Sequence, residues 1–182
     1  MVLQVLSDRL SPLSDAVRSR LLPLLAAPPR TVSDRVGALK RPNRSLVLRD
    51  LTEKVVSYTS NNPDPTGTSP TEKDFATVEL EIFDAEGSRI GRTKGAGRML
   101  YRNPGDEHFI AYFGEEITLD DGHVIRAGGL VDDARLTAGE FASFPAVVVA
   151  GPLRGAIGYR QFRPLVKESH TTYESAIVLY RK

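Results

Sequence analysis

The chain has no cysteine. A disulfide scaffold, a thiolate zinc site and a cysteine nucleophile are therefore excluded, and the composition suits a reducing cytoplasm. Histidine is scarce. His108, His123 and His170 are too scattered to suggest a metal site, and two of them open strands just after turns, where a surface position is expected. No apolar run approaches the roughly 18–20 residues of a membrane helix, and the N-terminus lacks the charged-then-apolar order of a secretory signal. Arg9, Arg18 and Arg20 among serines suggest an organellar transit peptide, but Asp8 and Asp15 argue against it. There is no phosphate-binding P-loop and no serine-hydrolase elbow. Gly95-Ala96-Gly97 begins like a dinucleotide loop, but it has no third glycine and lies mid-strand, which is a structural pattern.

What is present is an ordinary globular composition, 41% hydrophobic and 26% charged over 182 residues, enough for one domain with extra length. The net charge of +1 hides an asymmetry. Residues 1–44 carry eight Lys/Arg against three Asp/Glu, and residues 45–182 carry sixteen against twenty. Such a basic arm could seek nucleic acid, an anionic membrane or its own acidic body. It has no aromatic residue to stack on bases, so docking on its own body is preferred and neither nucleic acid nor membrane is expected as a partner.

Three segments follow. Residues 1–30 read as an amphipathic helix: Ser11-Pro12 is a good start, and Leu13, Val17, Leu21 and Leu24 share one face. Pro23 and Pro28-Pro29 end it. The leucine face needs a surface, either the outside of the body, a partner subunit, or the mouth of a barrel that it closes as a lid through Leu13, Val17 and Leu21. Residues 31–44 are a linker. From residue 45 onward, alternating segments at 45–58, 75–83, 88–101, 108–119, 123–132, 145–150, 156–163 and 173–181 are separated by turn residues. Eight such segments joined by hairpin turns predict a mainly β protein, an eight-stranded antiparallel barrel that occupies residues 45–182. Interior glycines such as Gly95, Gly97, Gly128 and Gly158 allow the coiling that closure requires.

Most acidic pairs fall at turns, where solvation explains them. Glu115-Glu116 lies within a strand, so one carboxylate points inward; if Phe113 faces the interior, Glu115 does too. It then either needs a buried partner, for which Arg160 is the natural candidate, or sits at a wet rim. The expected interior is aromatic and aliphatic with few polar groups, suited to an apolar ligand and poorly equipped for hydrolysis or redox chemistry.

The segment Val149-Ala150-Gly151-Pro152-Leu153-Arg154-Gly155-Ala156-Ile157-Gly158 resembles the glycine-rich hairpin of allene oxide cyclase and dirigent barrels. A closer resemblance is to bacterial spirotetronate cyclases. It is carried by Phe83-Asp84-Ala85-Glu86-Gly87 followed by Ile90-Gly91, then Tyr101 and Pro104, and Glu115-Glu116-Ile117-Thr118-Leu119 before Asp121-Gly122. Phe144-Pro145 and Gly158-Tyr159-Arg160-Gln161-Phe162-Arg163 complete it. The helix in residues 1–30 resembles the lid of the pyrroindomycin-type branch.

The resemblance implies a bacterial cytoplasmic Diels–Alderase, a homodimer that works without cofactor or metal. Its substrate would be a linear polyketide with a diene and a tetronate or tetramate, closed by (4+2) cycloaddition into a spiro ring. By resemblance Val78, Phe113, Phe144, Arg160 and Phe162 line the site, and Leu80, Ile82, Met99 and Leu130 are further lining candidates. Arg160 is assigned the carbonyl contact. Where some members place a tyrosine hydroxyl this chain has Phe113, so Tyr101, Tyr112 or Glu115 substitutes for it, or Arg160 acts alone. Carriage of a ligand without catalysis, and allene-oxide-cyclase-like or dirigent-like cyclisation, are the alternatives.

Overall fold

The computed structural model describes residues 45–63, 70–166 and 170–181. The expected helix, its lid residues Leu13, Val17 and Leu21, and the linker lie outside the described residues. Eight antiparallel strands close into a barrel in sequence order. They are β1 (Ser45–Ser60), β2 (Phe75–Phe83), β3 (Arg89–Arg102), β4 (Phe109–Leu119), β5 (Val124–Asp132), β6 (Ala142–Ala150), β7 (Ile157–Pro164) and β8 (Thr172–Tyr180). Closure comes from β1, which pairs with both β2 and β8.

The strands form where the sequence alternates, because one face is buried and the other is wet. In β2, Leu80 and Ile82 are buried between exposed or half-buried neighbours. Turn chemistry sets the ends. Gly122, at φ 92°, takes the left-handed conformation that the turn from β4 to β5 requires, and the Asp84 carboxylate accepts the Ser88 amide at 2.7 Å in the turn before β3.

β1 is long and bent. Its pairing with β8 shifts between Leu48 and Leu51, where Asp50 sits at φ 55°. This bulge returns Leu51 and Glu53 to the face that Leu46 and Leu48 occupied, and both are buried. A second shift, between Val55 and Ser57, brings Tyr58 opposite Val78.

A five-residue helix, α1 (Asp133–Thr137), follows β5. Solvation at a turn does not describe Asp132, which is the N-cap of α1 and accepts the Arg135 amide at 3.0 Å. No helix among the described residues is long and apolar enough to cross a membrane.

Candidate functional site

The inward residues form three storeys. At the end of the barrel where β4 and β6 begin and β7 gives way to β8, Phe113, Phe144, Phe162 and Tyr173 cluster. Phe113 lies 6.0 Å from Phe144 and 5.7 Å from Phe162 between ring centroids, and Phe162 lies 5.5 Å from Phe144 and 5.8 Å from Tyr173. These spacings suit offset and edge-to-face ring contacts. One inward position deeper on β4, β7 and β8 come Glu115, Arg160 and Ser175, joined by Glu53 and Thr93, and all five are buried. Deeper still, the barrel is aliphatic, with Ile117, Leu119, Ile177 and Leu179 in the core.

The middle storey is one hydrogen-bonded unit. Arg160 Nε donates to Glu115 Oε1 at 2.9 Å, and Nη2 donates to Glu53 Oε2 at 2.9 Å and lies 2.8 Å from Glu53 Oε1. Nη1 donates to the Gln161 carbonyl at 2.7 Å. Glu53 also accepts from Ser175 Oγ at 2.5 Å and from Thr93 Oγ at 3.5 Å. Burial pushes the Glu115 carboxyl from its ordinary 4.5 up to about 7; the Arg160 charge opposes this shift and the Glu53 charge adds to it. Burial works against the Arg160 charge, but the two carboxylates outweigh it and hold the guanidinium above its ordinary range.

The pairing of Glu115 with Arg160 is therefore present, buried and not at a rim. The resemblance assigns Arg160 a substrate carbonyl; in the structure each of its three guanidinium nitrogens donates to a protein oxygen. Its guanidinium carbon lies 5.1 Å from the centroid of the Phe162 ring, so it forms the floor of the aromatic storey. Glu53 was missed in the sequence because Thr52-Glu53-Lys54 reads as solvated. The available signal was its parity with Leu51 and Val55, which becomes visible once the bulge at Asp50 is recognised.

The remaining candidates divide between the two faces. Val78, Met99 and Phe113 face inward and are half-buried near the aromatic end, whereas Leu80, Ile82, Phe144 and Phe162 face inward and are buried. The Phe113 ring occupies space that glycine leaves open: a Cβ on Gly95 would come within 2.5 Å of Phe113 Cζ. Tyr101 and Leu130 do not belong to this interior. The β3–β4 register shifts between Met99 and Tyr101, which turns Tyr101 outward, 45% exposed. Leu130 alternates with buried Val131, stands opposite exposed Tyr112 and is 59% exposed. Tyr112 thus cannot replace the missing hydroxyl from within.

His170 is exposed, as expected of a surface histidine, but His123 is buried, with Nδ1 2.7 Å from Asp121 Oδ1. His108 Nδ1 lies 3.0 Å from Asp132 Oδ2, and with Asp106 these groups bring three ligand-type atoms within 4.8 Å. Asp132 is already engaged by the Arg135 amide and His108, and Asp106 Oδ1 accepts the His108 amide at 3.1 Å. Burial alone would raise the Asp132 carboxyl, but these partners lower it.

Inside the barrel the three phenylalanine rings contact one another above the charged storey. Neither prominent concavity among the described residues opens into the aromatic storey. A trench of about 660 Å³ crosses the wall beside Tyr112, Gly114, Gly128, Ile157 and Tyr180 and reaches Glu115 between them, and a hollow of about 230 Å³ lies between α1 and the ends of β5 and β6. The trench follows the paired outward positions Gly114 and Gly128, which carry no side chain. Of the three phenylalanines of the aromatic storey, Phe113 is the least buried.

Known proteins share this architecture. The structure is similar to the Diels-Alderase AbmU from Streptomyces koyangensis, with 30% identity and a TM-score of 0.68, over 76% of this chain and 64% of that one. This chain thus spans less than two thirds of AbmU. It is also similar to AbnU, an exo-specific intermolecular Diels-Alderase, with 25% identity and a TM-score of 0.68 over 75% of this chain and 97% of that one. A nonspecific heme-binding cyclase that catalyses (4+2) cycloaddition during neoabyssomicin biosynthesis matches with 28% identity and a TM-score of 0.70, over 82% and 69% of the two chains. No curated protein sequence matches. The model of the allene oxide cyclase barrel-like domain matches residues 54–179, most of the chain and nearly all of the closed barrel, and the protein belongs to that family.

Proposed function

We propose that this barrel is a Diels–Alderase that closes a spirotetronate or spirotetramate ring by intramolecular (4+2) cycloaddition of a linear polyketide, with no cofactor. The observation that carries the reading is the aromatic storey set on a buried carboxylate–guanidinium floor, in a barrel whose solved neighbours include three cycloaddition catalysts. A cycloaddition moves electrons around a ring of carbons and transfers no proton. The protein need only fold the chain until diene and dienophile meet. Holding reacting ends in near-attack geometry is worth about 7–11 kcal/mol in favourable systems, and a hydrogen bond to the dienophile carbonyl adds stabilisation where charge develops.

In this reading the substrate enters between half-buried Val78, Met99 and Tyr173 and displaces the Phe113 ring. The hydrocarbon lies against Phe144 and Phe162, and the acidic head lies toward the floor. Chromatography and mass spectrometry of a linear diene–tetronate test it. The expected result is accelerated formation of a single stereoisomer. Bound but unconverted substrate would instead identify a carrier, and an unchanged rate without binding would remove both readings.

A further inference from the structure

We propose that Glu115 is held in the folded barrel as a neutral carboxylic acid and donates its O–H to an oxygen of the ligand that enters the aromatic storey. The identity of that oxygen, the carbonyl or enolate of a tetronate-type head, rests on the cyclase reading. The state of the acid rests on the barrel alone.

The argument begins with charge. Two carboxylates meet one guanidinium in a storey where the side chains of Glu53, Glu115 and Arg160 are each at most 2% exposed. An uncompensated ion in such a place is expensive, and an ionisable group there takes up a proton instead. One proton makes the unit neutral. The groups that face Glu115 leave little choice of site: Arg160 from β7 and Glu53 from β1 are the charged neighbours, Thr93 and Ser175 from β3 and β8 carry hydroxyls, and β5 and β6 present Ala127 and Ala146.

The hydrogen bonds then divide the two acids. Glu53 receives Arg160, Ser175 and Thr93, donors that favour a carboxylate. Glu115 receives only Arg160 Nε, on Oε1. With Oε1 occupied by Arg160 Nε, Oε2 is the atom of this acid left to carry the proton. It also lies one inward position below Phe113, the ring whose displacement would make room for a ligand.

Two measurements on the full chain test this. Infrared difference spectroscopy through a pH titration should show a buried protonated-carboxyl band that disappears as pH rises through about 7 and is missing in Glu115→Gln. A band that is absent in the wild type, or unchanged in the variant, overturns the neutral acid. In the cyclisation assay, the wild-type rate should fall about tenfold per pH unit above about 7, because the donor is the protonated form. Glu115→Gln, whose amide still donates, should keep at least about half the rate with a flat pH profile. Glu115→Ala should lose about tenfold or more. A folded Glu115→Gln as slow as Glu115→Ala overturns the donor role. A wild type that shows the band but never cyclises substrate overturns the cyclase reading and upholds the buried acid.

Discussion

Arg160 shows how far a single side chain determines the interior. Its guanidinium spans carboxylates from β1 and β4 while its own backbone lies in β7, so it ties together strands well separated around the barrel. Arg160→Met would leave two acids facing each other without the cation, and removing one partner of a buried ion pair costs about 3–5 kcal/mol. Denaturant unfolding should give an unfolding free energy lower by that amount, and an unchanged value would mean that the storey is wetter than the burial of its side chains indicates. Arg160→Lys should not restore it, because an ammonium cannot present the planar fork that reaches both carboxylates.

At this scale the sequence was informative where alternation alone placed a residue. Glu115 two positions from Phe113 and Arg160 two positions from Phe162 were readable as an inward pair. Glu53 was not, because two bulges in β1 interrupt the count, and its flanking Thr52 and Lys54 suggest a solvated stretch.

Among the elements, strand positions were legible almost throughout. Repeated apolar alternation and glycine-bearing turns mark them, and β2 spans the expected 75–83. What remained hidden was local. The bulge before Tyr101 reverses one end of β3, and no alternation rule announces an inserted residue. The helix α1 is too short to show a period, and its marker is Asp132. This residue caps α1 and pairs with His108 in the turn that leads into β4, linking two elements at the aromatic end. Asp132→Ala should therefore cost about 1 kcal/mol for the lost cap, read as a lower thermal midpoint. Asp132→Asn, which still caps, should recover most of it, and equal losses in the two variants would place the importance of Asp132 in its charge and not in the cap.

The whole molecule is a closed barrel whose interior is divided by chemistry: aliphatic at one end, charged in the middle and aromatic at the other. Barrel closure follows from strand number and hairpin order, which the sequence displays. The degree of filling does not, because it depends on where rings settle against glycines such as Gly95 and Gly129. In the proposed reading the aromatic storey receives the substrate, and Phe113, the least buried of its phenylalanines, is the ring placed to move.

The central claim is that a linear substrate folds inside this storey once Phe113 moves. It is tested most directly by comparing single-turnover cyclisation of a linear diene–tetronate by the wild type and by Phe113→Trp, whose larger ring has no further glycine space to enter. The account predicts a fast, stereochemically pure product from the wild type and at least about tenfold slower turnover from a folded variant. Equal rates from the two proteins, or a wild-type product mixture that matches the spontaneous one, would contradict it.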